Sequence, residues 1–258
     1  MADEVRSILE SGILEVSIHR PDQRNSMDGA VMASLTAILH QAAANRAVRV
    51  VTLTGSGDKV FCAGADIKSS RSEEPGAGGF TPRAYRELLL EILRFPKPTV
   101  ALARGHVLAG GLGLVLACDF ALVCDDIYLC TPEILVGMFP MMVMALLVRH
   151  VGRKRALEMA FLGERLPAEA AMQFGILNHV YVRDQFEIES SRFVQKLAEK
   201  SAAIVRLGKE ALLQMEAPRL ETELIDLETA LSQVMSCVDS KEGMRAFLEK
   251  RKPQWQDE

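Results

Sequence analysis

No apolar run in this chain of 258 residues approaches the ~20 consecutive residues that a membrane-crossing helix requires, so a spanning segment and a membrane partner are not expected. Positive charge is not in excess either: 30 Lys and Arg against 34 Asp and Glu leave a net charge of −4, which argues against a nucleic-acid partner. The basic clusters Arg153-Lys154-Arg155 and Lys250-Arg251-Lys252 read as solvated helix faces. Cysteine is scarce and unpaired in pattern. Cys62, Cys118, Cys124, Cys130 and Cys237 form an odd set with no CxxC, which argues against a disulfide framework or structural zinc and favours the cytoplasm or another reducing compartment. The start, MADEVRSILESG, is acidic and has no basic segment leading into an apolar stretch, so it does not read as a secretion signal.

Nucleotide signatures are missing as well. A dinucleotide fold wants G-x-G-x-x-G after a strand, but Gly111-Leu112-Gly113 runs on into Leu114-Val115-Leu116 with no third glycine. No glycine is followed by the lysine and hydroxyl of a phosphate loop, and no G-x-S-x-G elbow occurs.

What is present is an ordinary globular composition, 49% apolar and 25% charged, in a chain long enough for one large core or a core with an appendage. Residues 5–19 alternate around Ser11-Gly12 and predict a hairpin that Pro21 ends. Asp28 is placed to cap a helix to about Asn45. VRVVTLTG (48–55) and TVALARG (99–105) read as buried strands, TPRAYRELLLEILRF as a capped amphipathic helix, and the polar, glycine-rich 69–80 as a surface loop. FALVCDD and IYLCTPEI supply two more short strands, and a Met-rich segment then becomes helical. Helices dominate from Arg153 onward, with one strand at 177–182; three or four helices fill 186–252, as in an appended helical layer.

Two places follow a strand with bare backbone: Ala63-Gly64-Ala65 and the glycines of GHVLAGGLGLVLACD (105–119). Gly110, Gly111 and Gly113 admit a packing explanation, a buried helix touching its neighbour. A second explanation uses both turns: each can aim a backbone N–H inward, and the pair can form an oxyanion hole.

At this point the sequence resembles a known family. HRPDQRNSM, FCAGADIKS, GHVLAGGLGLVLACD, TPEILVGMFP, AMQFGILNHV and EGMRAFLEKRK, in this order, resemble the crotonase (enoyl-CoA hydratase/isomerase) superfamily across nearly the whole chain. Any one of these is weak; the ordered set is specific. The resemblance implies an α/β fold, a right-handed spiral of ββα repeats over 1–195. It implies a helical trimerisation region over 196–258 and assembly as a homotrimer or a hexamer. It also implies an acyl-CoA thioester whose carbonyl sits between the N–H groups of Ala65 and Gly110, with no metal and no cofactor beyond the coenzyme A of the substrate. For coenzyme A it points to Gln23, Arg24, Ala63, Asp66 and Ile67, and to Phe247 and Lys250 in the C-terminal helix.

The sequence departs from the hydratases of that superfamily at one acid. They carry two glutamates, and here the first position is Gly113 while the second is Glu133. Glu133 follows Pro132 among apolar residues, where desolvation can raise its pKa into a useful range; the other reading is a solvated turn carboxylate. Adding water to a double bond gains from two groups, whereas moving a double bond can use one carboxylate as base and then acid. The reading therefore leans to an enoyl-CoA isomerase, with a hydratase or a catalytically weak acyl-CoA-binding protein as alternatives. Met138, Met141, Met142 and Met144 read either as an adaptable wall for an aliphatic acyl chain or as ordinary helix core. His106 stands as an extra proton donor or a structural histidine, and Asp119 resembles the family's structural aspartate. A protease site on the related fold is excluded, since Gly110-Gly111-Leu112 contains no serine.

Overall fold

The computed structural model describes residues 4–66 and 79–256, apart from the side chains at 216–218. Strands β1 (Val5–Glu10) and β2 (Ile13–Ile18) form the expected hairpin. Ser11 and Gly12 turn it with φ of 50° and 83°, the sign a tight two-residue hairpin needs. Helix α1 (Gly29–Ala44) starts where Asp28 accepts a 2.9 Å hydrogen bond from the Val31 N–H, satisfying one of the donors a helix start leaves unpaired.

From here the chain advances in strand–strand–helix turns. Strands β3 (Val50–Gly55), β5 (Thr99–Ala103) and β7 (Phe120–Cys124) run parallel in one sheet. Short strands β4 (Val60–Cys62), β6 (His106–Leu108) and β8 (Tyr128–Cys130) run parallel in a second. Each pass crosses both sheets and returns through α2 (Pro82–Leu93), α3 (Gly110–Ala117), or the 3-10 turn Pro132–Val136 followed by α4 (Met141–Leu162), which bends at Gly152. All of β3 is buried, because helices cover the large sheet on both faces and VVTLTG needs no polar side. The two sheets are ordered β1-β2-β3-β5-β7-β10 and β4-β6-β8-β9, where β9 is Leu166–Pro167 and β10 is His179–Tyr181. This is the crotonase-type arrangement of ββα repeats. Strand β6 lies inside the stretch read above as glycine turn and helix alone, and β9 is likewise an addition to the sequence reading.

After α5 (Ala168–Gln173) come α6 (Arg183–Ala198), α7 (Ala202–Ser236) and α8 (Val238–Glu249), with no strand between the last three. Helix α6 packs on the large sheet, α7 crosses α2 and α4, and α8 returns to the 3-10 turn at 132–136. Among the described residues no helix is long and apolar enough to cross a membrane.

Candidate active site

The parallel pairing of β4 with β6 sets their C-terminal turns side by side. The first turn is made by Gly64 at φ 81°, the second by Ala109 at φ 49° and ψ −130°. They abut so closely that a Cβ on Gly64 would lie 2.7 Å from the Gly110 nitrogen, and one on Gly111 2.3 Å from the Cys62 carbonyl oxygen. Bare backbone at both is what lets the turns touch.

Two donors result. The peptides on either side of Ala65 are held by Met27, whose N–H donates to the Gly64 carbonyl at 2.7 Å and whose carbonyl accepts from the Asp66 N–H at 2.9 Å. Gly110 opens α3, where the first N–H groups have no partner inside the helix. Neither the Ala65 N–H nor the Gly110 N–H donates a hydrogen bond to any described residue. Gly111 and Gly113 are bare where neighbours crowd them, as the packing explanation expects, while the Gly110 N–H has no acceptor among the described residues.

Glu133 stands in the 3-10 turn that ends the third repeat, with Pro132 fixing the turn's start. Its Oε2 is sealed from solvent and has no hydrogen-bond partner among the described residues. Burial pushes its pKa up to about 7, against the slight opposing pull of its own backbone N–H. The solvated-turn reading is thus corrected: the apolar residues around TPEILVGMFP desolvate the carboxylate. The turn is backed by α8, where a Cβ on Gly243 would lie 2.5 Å from the Val136 carbonyl and one on Gly137 2.7 Å from the Asp239 oxygen.

At Gly113, the position of the absent acid, the space is taken. A Cβ there would meet the Tyr85 hydroxyl oxygen at 2.0 Å. Tyr85 reaches in from α2, is 3% exposed, and donates a 2.6 Å hydrogen bond to the Gly110 carbonyl. Burial first, then the charges of Cys62 and Glu133, hold its pKa well above the ordinary tyrosine value, so it stays a neutral hydroxyl. Sequence reasoning missed this residue. Tyr85, Leu88, Leu89 and Ile92 share the apolar stripe of α2, and only the polar tip of the first distinguishes it.

The other candidate residues divide. Gln23 and Arg24 lie exposed in a 3-10 turn (Pro21–Gln23) and its left-handed end, joined to the site where the Ala63 N–H donates to the Arg24 carbonyl at 3.1 Å. The Asp66 carboxylate is 3.2 Å from the Arg20 guanidinium, which also holds Asp28 at 3.0 Å. Ile67 and most of the 69–80 loop lie outside the described residues. Phe247, half exposed, and Lys250, the left-handed cap of α8, belong to the helix that packs on the Glu133 turn. His106 is structural: its Nδ1 accepts from the Tyr128 N–H at 3.3 Å and its ring stacks on Tyr128. Asp119 is structural too, accepting from the Thr99 N–H and hydroxyl and from Lys209. Met142 is core, while Met138 takes a hydrogen bond on sulfur from Ser240 of α8. Cys62 lies nearest the two turns, but burial lifts its thiol to about 12, too high for a nucleophile at neutral pH.

Comparison with known proteins bears on the family and the fold. The profile of the family described as enoyl-CoA hydratase/isomerase matches residues 9–258. A putative enoyl-CoA hydratase of Thermus thermophilus is 34% identical over 93% of this chain and 96% of its own. The human enoyl-CoA hydratase domain-containing protein 3, mitochondrial, is 33% identical over 96% of this chain and 82% of its own. Among solved structures, an enoyl-CoA hydratase from Mycobacterium avium subsp. paratuberculosis superposes with a TM-score of 0.88 at 28% identity, covering 98% and 99% of the two chains. A carnitinyl-CoA hydratase from Mycobacterium avium superposes with a TM-score of 0.84 at 28% identity over the full length of both. The chain belongs to the enoyl-CoA hydratase/isomerase family of acyl-CoA-processing enzymes, within the crotonase superfamily.

Proposed function

We propose that the enzyme shifts the double bond of a 3-enoyl-CoA to the 2-position, with Glu133 as the one group that moves the proton. The ionised Glu133 takes a proton from C2, and the C2–H bonding pair spreads into a dienolate. Its oxygen is held by the Ala65 and Gly110 N–H groups, each contributing ~3–4 kcal/mol to the transition state. The protonated Glu133 then returns the proton at C4, so the double bond moves with no water consumed and no redox change. The observation that carries this reading is the contrast between a desolvated Glu133 carboxylate, whose Oε2 has no partner among the described residues, and a bare Gly113 whose space a neutral hydroxyl fills.

In this reading Gln23, Arg24, Ala63, Asp66 and Ile67 cradle coenzyme A, and Phe247 and Lys250 close over it from α8. The coenzyme A of the substrate is the only cofactor. The apolar face that α7 exposes at Ile204, Leu207, Leu212 and Met215 supports a homotrimer, alone or paired into a hexamer, through the helical region 196–258. Free thiols at all five cysteines suit a reducing compartment such as the cytoplasm.

The test is a panel of 2-enoyl- and 3-enoyl-CoA thioesters. Isomerisation exceeding hydration supports the proposal, and efficient hydration with no isomerisation overturns it. Hydration is the second reading, favoured by the names of the relatives above. Solvent deuterium exchange at C2 of a bound acyl-CoA separates both from a protein that merely binds the thioester.

A further inference from the structure

We propose that Tyr85 is a positioning residue, one that aims the Gly110 N–H at the thioester oxygen. The proposal rests on the reading that this oxygen lies between Ala65 and Gly110. Three observations carry it. First, the peptide bearing the Gly110 N–H follows Ala109, which sits at φ 49° and ψ −130°, a region that costs a residue with a Cβ on the order of 1–3 kcal/mol and persists only when neighbours hold it. Second, the neighbours are few and close. Gly64 presses from one side, and Tyr85 from the other, its ring carbon and hydroxyl 3.3 Å from where a Cβ on Gly110 would be. Third, the Tyr85 hydroxyl donates to the Gly110 carbonyl at 2.6 Å, pinning the first turn of α3 from outside the helix.

The hydroxyl is itself fixed by its surroundings. Its proton is committed to Gly110, burial keeps it from ionising, and Gly113 is bare because the oxygen needs that room. Tyr85 thus makes no proton transfer. It converts a strained turn into a fixed one, and a donor aimed in advance stabilises charge without reorganising when charge develops.

The test reads both rate and aim. Tyr85→Phe keeps the ring and deletes the hydrogen bond; kcat for 3-enoyl-CoA isomerisation should fall about 10- to 100-fold while KM stays within about twofold. Isotope-edited infrared spectra of bound butanoyl-CoA should show the thioester carbonyl stretch lowered in the wild type and moved back toward its free value in Tyr85→Phe. Gly113→Ala should reproduce both changes, because its Cβ meets the hydroxyl at 2.0 Å, and the double variant should be no worse than the poorer single one. A Tyr85→Phe enzyme with wild-type kcat and wild-type carbonyl shift overturns the proposal, as do strictly multiplicative losses in the double variant. If Tyr85→Phe does not fold, 4-aminophenylalanine at position 85 retains a donor; loss of the carbonyl shift in that folded protein also overturns it. A wild-type complex with no carbonyl shift removes the oxyanion reading and this proposal together, whereas a shift untouched by Tyr85→Phe removes this proposal alone.

Discussion

Positions 113 and 133, the two places where an acid serves hydratases of the superfamily, are built in opposite ways. At 133 the fold keeps a carboxylate and desolvates it; burial lifts its pKa to about 7, and Oε2 has no partner among the described residues. At 113 the fold removes the side chain altogether and puts a tyrosine hydroxyl in its place. The difference teaches that a missing catalytic group need not leave a void. Here the position is occupied, and any attempt to restore the acid must contend with the occupant.

The largest effect should come from removing the one carboxylate. Glu133→Gln keeps the shape but cannot take a proton, so kcat should drop about 10³- to 10⁴-fold while acyl-CoA binding changes little, read by steady-state kinetics and by calorimetric titration. Near-normal turnover would show that the two positions do not differ in the way described. Gly110→Pro comes next. Gly110 is the first residue of α3, a position that tolerates proline in a helix, but Gly64 and Tyr85 crowd it, so folding is checked first by denaturation. The folded variant lacks one N–H donor and should show kcat lowered about 10²- to 10³-fold. A folded, fully active protein refutes the assignment of that donor.

A smaller, sharper test reinstalls the acid. Gly113→Glu alone should cripple the enzyme by displacing Tyr85. Tyr85→Ala with Gly113→Glu has room, and against Tyr85→Ala its ratio of 2-enoyl-CoA hydration to 3-enoyl-CoA isomerisation should rise about 10-fold. An unchanged ratio would mean that the absent acid does not decide the reaction. The least dramatic effects are those of pH. In the proposed reaction Glu133 is the base when ionised, so kcat/KM for isomerisation should climb as pH rises toward about 7 and level off above it. In stability the sign is opposite. A carboxyl raised from 4.5 to about 7 holds its proton more tightly folded than unfolded, so the cost of its charge is absent below about 4.5 and complete above about 7. Glu133→Gln should therefore unfold at higher denaturant at pH 8, by up to on the order of 3 kcal/mol, and match the wild type at pH 4. Equal stability at both pH values would contradict the burial.

Much of the scaffold was legible from the chain. The hairpin, the Asp28 cap, the strands at 50–55 and 99–103 and the helix opened by Thr81 each carry a local signal of alternation, capping or β-branching. Strand β6 escaped notice because three residues hidden before a glycine cluster cannot show a period, and β9, two residues ending in proline, because ladder pairing alone defines it. At the site, the two turns showed as bare backbone after a strand and Glu133 came through the resemblance, but the state of Glu133 could not: it depends on tertiary burial, and the turn that carries it is backed by α8, far along the chain. Tyr85 was invisible for a related reason. A tyrosine on a buried stripe looks like core until the backbone it touches is known.

The flush seating of Gly243 on Val136, and of Gly137 on Asp239, has a consequence for the order in which the protein is made. A nascent chain that has not yet reached α8 already contains every strand of both sheets and both N–H turns, yet the segment that holds Glu133, though packed against α4, still lacks the backbone seat that α8 gives it. The Glu133 turn is thus completed later in synthesis than the two N–H turns, although its own residues come well before α8 in the chain.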